Sequence, residues 1–395
     1  MNGKRDLTRR RLVVVGGGAV AGAALSHTLA PVEALAAKAS VPRRVLGKTK
    51  QSVPILLLGG GSGFKAPFDA RIKTALDYGV NYIDTARKYA SGRSEPNAAS
   101  TLHSLKARQK TWITSKTDSR DAVGFARAVD ESLVAMKTSF IDLYYLHELV
   151  DPAALDDKEL LRTVDRLKQA GKIRYFGFSC HDGNVAELLH AAAERSYIDS
   201  VMFRYNFRQY GNKELNVAID RAHRAGVGLI AMKTQGSESG ISDAWKKFQK
   251  TGKWNKFQSV LKAVWADERI SAAVSHMDDL SKLEQNIAAA LDRQKLGALE
   301  EEALRRYAQA TRHQACDGCS HLCGAAVESP VIGNTLRYLM YHDAYREPEL
   351  ARELFRALPQ RARQLTDTDL RAAARACPHG LDIAAHMKRA ATLLG

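Results

Sequence analysis

From residue 53 onward, short apolar runs alternate with longer stretches in which apolar residues recur at helical spacing. The runs are VPILLLGGG, VNYIDTA, TWITSKT, IDLYYLH, IRYFGFS, SVMFRYN, GVGLIAMKT and ISAAVSH. Their length and continuous apolar character predict strands buried on both faces. The intervening stretches, such as FDARIKTALDYG, AVGFARAVDESLVAMK and DKELLRTVDRLKQAG, have helical period. Several stop at glycine, the residue that best tolerates the left-handed turn closing a helix. Strand followed by helix, eight times over, is the pattern of a parallel sheet with its crossovers. Eight units within residues 45–292 match the ~250 residues of a closed (β/α)8 TIM barrel, an α/β fold. The alternative, an open doubly wound sheet, needs a glycine fingerprint after its first strand. Residues 297–395 have helical period alone and predict a small, mainly helical C-terminal domain.

The first 37 residues do not share this alternation. A basic stretch over residues 4–11 leads into a Val/Gly/Ala-rich apolar run, and Ala-Leu-Ala at residues 34–36 offers a small-residue cleavage site. That is the order of parts in an export signal. Arg9 and Arg10 after Thr8, with Leu12 two places on, resemble the twin-arginine signal, and the weak, glycine-containing run suits that route. The expectation is export by the twin-arginine machinery to the periplasm with the segment removed. An uncleaved membrane anchor is the alternative, because the run approaches the ~20 residues of a span, although Ser26, His27 and Thr28 dilute it. No other segment is apolar enough to span a membrane. VVVGGGAVAG also imitates a dinucleotide-binding turn, but Pro31 and an alanine-rich stretch follow where a βαβ unit should.

The 395 residues are 45% hydrophobic and 26% charged, which is ordinary for a soluble globular chain with a sizeable core. A net charge of +16 raises the question of a nucleic-acid partner. The basic residues are scattered along helix-like stretches such as RALPQRARQL, and part of the excess lies in the first segment. They read as solvated surface, and no nucleic-acid partner is expected. The five cysteines are not the even, dispersed set of a disulfide-stapled domain, since four fall at positions 316, 319, 323 and 377.

Chemistry in a TIM barrel sits at the C-terminal ends of the strands. Three successive runs end in ionisable residues: VNYID at Asp84, TWITSK at Lys116 and IDLYYLH at His147, with Tyr89 in the loop after Asp84. Singly, each would pass for a solvated residue. Together they surround one mouth. The set suits reduction of a carbonyl by hydride from a nicotinamide, because the oxygen needs a proton as it becomes an alkoxide. A tyrosine, with a pKa near ~10, donates poorly at neutral pH unless a cation stabilises its phenolate. Lys116 is placed to be that cation, Asp84 to hold Lys116 charged, and His147 to orient the substrate oxygen.

The segments GVNYIDTARKYASGRSE, ITSKTD, IDLYYLHE and GKIRYFGFS follow the order and spacing of the aldo/keto reductase superfamily, which the chain resembles over its middle two-thirds. The resemblance implies a barrel binding NADP(H) without a Rossmann fold, a small carbonyl or alcohol substrate, and the catalytic tetrad Asp84, Tyr89, Lys116 and His147. It places Gly61 and Ser62 beneath the nicotinamide and Ser179 on its carboxamide. Cys180 stands where the family has asparagine, Met202 where it has glutamine, and Met232 and Lys233 where many members place an aromatic. Lys282, Gln285 and Asn286 resemble the family's residues around the adenosine 2′-phosphate, with a point charge where the family has a guanidinium fork. Cys180 itself reads as a residue filling the barrel mouth.

In the tail, Cys316, Cys319 and Cys323 are spaced C-x2-C-x3-C, and Cys377 precedes a proline. Soft thiolates in a tight loop, with a fourth from elsewhere, suit an iron–sulfur cluster. The run departs from the bacterial C-x2-C-x2-C-x3-C-P pattern in its third gap and in the helical insertion before Cys377. The tail resembles the ferredoxin-like extension of a subgroup of aldo/keto reductases, which implies one [4Fe-4S] cluster on Cys316, Cys319, Cys323 and Cys377. A structural zinc site on the same four thiols stays open. LRYLMYHDAY reads as packing within the tail, and His313 and His321 as loop residues. The function expected is an NADP(H)-dependent oxidoreductase accompanied by a cluster, with an electron-transfer protein as a possible partner. The alternative is a non-catalytic barrel acting as an electron-transfer or zinc-stabilised binding protein. Twin-arginine export of a folded chain suits a cluster inserted beforehand, whereas a free NADPH pool is not expected outside the cytoplasm.

Overall fold

Successive side chains on a strand point to opposite faces, so closing a sheet into a barrel sorts them by parity. The structure, a computed structural model, describes residues 39–235, 253–329, 331–343 and 347–395; the export-signal expectation lies outside the described residues. The strands are β1 (Arg43–Val45), β2 (Ser52–Pro54), β3 (Leu56–Gly59), β4 (Tyr82–Asp84), β5 (Trp112–Thr117), β6 (Ile141–Leu146), β7 (Ile173–Cys180), β8 (Ser200–Arg204), β9 (Gly228–Met232) and β10 (Ala272–Ser275). From β3 to β10 each pairs in parallel with the next, and β10 closes on β3. Leu57, Tyr82, Leu143, Tyr145, Met202 and Ile230 fill the interior. Their neighbours Leu56, Leu58, Ile83, Tyr144, Leu146, Val201, Phe203 and Leu229 pack outward in the larger core. All are buried. The (β/α)8 expectation is met.

The run VPILLLGGG is divided in two. Ser52–Pro54 pairs antiparallel with β1, and the barrel ladder begins at Leu56. Pro54 has no N–H to give a ladder, which favours a break there. Leu46 and Val53, from this hairpin, join the interior cluster and plug the N-terminal end.

The crossover helices begin where an Asp or Asn side chain accepts a backbone N–H of the first turn. Asp69 caps Ala70–Asp77, Asp121 caps Ala122–Ala135, and Asp157 caps Lys158–Gln169. Asn212, Asn255 and Asp279 do the same for Lys213–Arg224, Lys256–Ala266 and Leu280–Leu291. Each such cap contributes about 1 kcal/mol.

After the barrel, the helix Ala298–Ala310 packs through Leu304 and Tyr307 on Phe207, Trp254 and Val260. The helices Val331–Asp343, Pro348–Arg356, Asp367–Ala376 and Ile383–Leu394 surround a second core that includes Ile332, Leu339, Phe355, Leu381 and Met387. Barrel and tail form one compact unit. No helix among the described residues is long and apolar enough to cross a membrane.

Gly177, in the middle of β7, pairs with Tyr145 and Ser200. A Cβ there would lie 1.9 Å from the Ser200 carbonyl oxygen and 3.0 Å from the Tyr145 ring. Gly177→Ala should therefore destabilise the barrel by about 3 kcal/mol or more, read as a lower denaturation midpoint.

Candidate active site

Parity aims a set of polar side chains into the barrel above the apolar interior. Tyr82 points inward, and so does Asp84 two residues on. Thr114 and Lys116 share the inward side of β5, and His147 continues the side set by Leu143 and Tyr145. Lys116, 1% exposed, donates to Asp84 Oδ2 at 2.8 Å and to the Thr85 carbonyl at 2.8 Å. Its ammonium also lies 3.2 Å from the Tyr89 hydroxyl and 4.6 Å from the centre of that ring. The Tyr89 hydroxyl is 3.5 Å from His147 Nε2, and His147 Nδ1 is 3.2 Å from Asp118 Oδ1. The four residues expected to act together are in one place.

Tyr89 reaches this point from a sharply turned loop. Ala90, Ser91 and Gly92 have φ of 51°, 52° and 81°. Two non-glycine residues in the left-handed region carry strain of the kind found where a functional side chain must be aimed. Gly63, at φ 77°, permits the approach, because a Cβ on it would lie 2.6 Å from that of Ala90.

Burial lowers the Lys116 pKa, with Asp84 opposing, and raises that of Asp84, with Lys116 opposing. Burial and then the charge of Asp84 raise the Tyr89 phenol well above its ordinary value. The expected lowering by Lys116 is outweighed by burial and by Asp84. Tyr89 is therefore protonated at neutral pH. His147 is pushed down to about 4 by burial and is neutral.

The expected cofactor positions divide. A Cβ on Gly61 would meet nothing within 4 Å, and Ser62 Oγ is buried without a hydrogen-bond partner. An orphaned hydroxyl beside open backbone fits a ligand seat. Ser179 is inward and buried, and its hydroxyl accepts the Glu148 N–H at 3.2 Å. Met202 lies lower, within the interior cluster, with Met232 packed against that cluster and Lys233 next along at φ 54°. Cys180 is not at the mouth: it is fully buried with Phe178 and Phe203 in the outward-facing core, because it has the opposite parity to Ser179. Lys282 pairs with Asp278 at 2.5 Å, Gln285 bonds Asn255 and Ser281, and buried Asn286 donates to Ser275 Oγ at 3.1 Å. These three share the face of one helix and make bonds within the chain, apart from the tetrad.

Residues 64–301 match the model of the aldo/keto reductase family. The chain belongs to the aldo/keto reductase family. Among curated relatives it is 31% identical to the uncharacterized oxidoreductase YqkF of Bacillus subtilis over 33% of this chain and 45% of that one. It is 23% identical to L-galactose dehydrogenase of Arabidopsis thaliana over 60% of this chain and 81% of that one. The chain thus spans less than half of YqkF but most of the plant enzyme. Among solved structures, the holo form of aldo-keto reductase AKR11C1 from Bacillus halodurans superposes with a TM-score of 0.56 at 22% identity, covering 68% of this chain and 96% of that one. An aldo-keto reductase from Klebsiella pneumoniae in complex with NADPH gives 0.56 at 23%, covering 67% and 95%. These likenesses show the shared fold.

The tail of this aldo/keto reductase lies across the barrel mouth. Arg204, at the C-terminal end of β8, donates to the Cys316 carbonyl. Gly318, at φ 79°, sits so close that a Cβ would lie 2.8 Å from the His181 carbonyl oxygen. On the helix Val331–Asp343, Leu336, Tyr338 and Leu339 pack in the tail core. Arg337 and Tyr341, four residues apart and so on one face, reach the rim. Arg337 meets His181 Nδ1 at 2.7 Å, and Lys233 donates to the Tyr341 hydroxyl at 3.4 Å and lies 4.7 Å from its ring centre. The helix Val331–Asp343 therefore does more than pack the tail.

Glu148 is the carboxylate beneath this roof, 3.3 Å from His181 Nε2 and 3.3 Å from Lys88. Burial opposes its charge, but His181 and Arg337 hold it well below the usual carboxylate range. Glu148 stands directly after His147 in the recognised IDLYYLHE segment. Arg337 and Tyr341 had no signal, being far along the chain in a stretch of ordinary helical pattern.

The four tail cysteines are free. Cys316, Cys323 and Cys377 border the tail core, and Cys319 Sγ is 3.6 Å from His379 Nε2. Burial raises Cys319 to about 12 and Cys323 to about 11, and Cys316 and Cys377 add to both shifts, so the four are within electrostatic reach of one another. Among the described residues, no group of three or more ligating side chains is arranged to hold a metal ion.

Neutral, buried His147 makes stability depend on pH. The unfolded imidazole takes a proton below its ordinary ~6.5, whereas the folded one resists until about 4. Its contribution is complete above ~6.5 and falls by up to about 3 kcal/mol as the pH drops toward 4. Denaturant titrations between pH 7 and 4 should show this loss, and His147→Asn should reduce the slope.

Proposed function

We propose that the protein is an NADP(H)-dependent oxidoreductase that reduces a small carbonyl compound or oxidises the corresponding alcohol, with Tyr89 as acid and base. The observation that carries this reading is the Lys116 ammonium, which meets Asp84 and the Tyr89 hydroxyl together in a buried pocket. The cofactor assignment is supported by the orphaned Ser62 hydroxyl and by the fold shared with the NADPH-bound Klebsiella pneumoniae reductase. A bound nicotinamide would supply or accept the hydride. Gly61, Ser62 and Ser179 would hold it. Tyr89 gives its proton to the substrate oxygen, and Lys116, at 3.2 Å, stabilises the phenolate that remains. Asp84 keeps Lys116 charged and aimed. Neutral His147 faces the same hydroxyl and orients the oxygen without adding charge. In the oxidative direction the tyrosinate takes the proton back.

The proposal extends to the tail, where Cys316, Cys319, Cys323 and Cys377 would hold one [4Fe-4S] cluster. Four free thiols around one small core suit iron–sulfur ligation in their chemistry, although their side chains are not in a ligating arrangement here. A cluster would supply one-electron chemistry, and a partner protein would exchange those electrons. Export by the twin-arginine route to the periplasm is proposed from residues 1–37 alone.

Tyr89→Phe should lower NADPH-dependent carbonyl reduction by about 10²–10⁴-fold while NADPH still quenches the protein's fluorescence. An unchanged rate would remove Tyr89 from the mechanism. Protein purified without oxygen should contain about four irons and four acid-labile sulfides per chain, lost on Cys377→Ser; zinc in place of iron would overturn the cluster.

A further inference from the structure

Where the tail meets the barrel rim, the two line a partly open cavity of about 170 Å³. Its walls gather cations from separate parts of the chain: Arg204 from β8, Lys233 after β9, and Arg337 and Arg389 from the tail. Arg389 is answered by Asp343, with contacts of 2.6 and 2.7 Å. Arg204 has Asp317 nearby and Arg337 has Glu148 and Asp182, yet neither guanidinium is fully hydrogen-bonded. Arg204 uses one terminal nitrogen on the Cys316 carbonyl and lies 3.6 Å from Asp317. Arg337 contacts His181 and Asn334, with Asp182 at 4.0 Å. The Nε of each guanidinium is buried with no hydrogen-bond partner. A buried donor without an acceptor is costly and rare, and here two stand in one cavity.

These cations also feel one another. Burial, then Arg337 and Arg204, push the Lys233 ammonium down to about 7. An oxyanion would relieve both faults at once, since a guanidinium offers paired N–H groups matched to the two oxygens of a carboxylate or phosphate. The volume is close to the ~150 Å³ of cavities that take up benzene. That is room for a small molecule. Of the cofactor positions expected from the sequence, only Lys233 is among the described lining residues.

We infer that this cavity is a binding site for a small organic anion, whose carboxylate or phosphate group is held by Arg204, Arg337 and Lys233. The site couples tail to barrel, because its arginines come from both and its occupant bridges them. It stands independently of the reaction at Tyr89.

The test is calorimetric titration of the full chain with succinate and, separately, with inorganic phosphate, for the wild type and for R337Q, R337K, R204Q and K233Q. At least one anion should bind the wild type at one per chain, at least tenfold more weakly to R337Q and R204Q, and with intermediate affinity to R337K. Binding of succinate alone assigns a carboxylate ligand, and of phosphate alone a phosphate ester. If R337Q does not fold, R337K and K233Q make the comparison. Metal content is measured alongside, and a variant that has lost tail metal is set aside in favour of the others. The inference is overturned if neither anion binds the wild type. It is overturned equally if the folded variants bind as well as the wild type, or if NADPH fully displaces the anion, which would make the cavity part of the cofactor's seat.

Discussion

A buried ammonium must have a counter-charge close by, and at the barrel mouth Lys116 has Asp84 at 2.7 Å. The pair spans adjacent strands, with Asp84 registered against Thr114 and Lys116 two residues further along the same face. Because Asp84 takes only part of the ammonium's bonding capacity, one N–H is left for the Thr85 carbonyl and one for the Tyr89 hydroxyl. The loop after β4 must therefore double back, which it does through left-handed residues at 90, 91 and 92. Strain in that loop and the position of Tyr89 both follow from the need to satisfy one charge away from water. The same burial keeps Tyr89 protonated and His147 neutral, so the mouth holds both rings without added charge.

The tail places a second electrostatic system above the first. Glu148 is held ionised by His181 and Arg337, and it directly follows His147, so barrel rim and roof share neighbouring backbone. The close fit of Gly318 against His181 and of Gly183 against Cys319 leaves no room for a Cβ at either position. The cysteine loop is therefore seated on the barrel through backbone contact.

Much of the barrel was legible because its signals are local. Buried parallel strands announce themselves as unbroken apolar runs, and the crossover helices open at Asp69, Asp121, Asp157, Asn212, Asn255 and Asp279, side chains that cap their own first turn. Asp84, Lys116 and His147 were visible as charges ending apolar strands, where a charge is costly unless it is used. Cys180 was misplaced for an equally local reason. Its position one residue after Ser179 puts it on the opposite face of β7, among the outward-packed rings. The division of the first run at Pro54 shows that an apolar stretch does not reveal which partner strand each half will take.

By itself, the sequence determined the order of strands and helices, the inward parity that gathers Asp84, Lys116 and His147, and the thiol spacing in the tail. Those features depend on periodicities of two and 3.6 residues and on side chains acting within a few residues of themselves. Tertiary structure alone decided that the tail crosses the barrel mouth, that Arg337 and Tyr341 face His181 and Lys233, and that two arginines share a cavity with their Nε groups unanswered. Contacts between residues more than 100 positions apart leave no period in the chain. They exist only once burial has forced distant charges into the same low-dielectric space, where each must find a partner or keep a place for one.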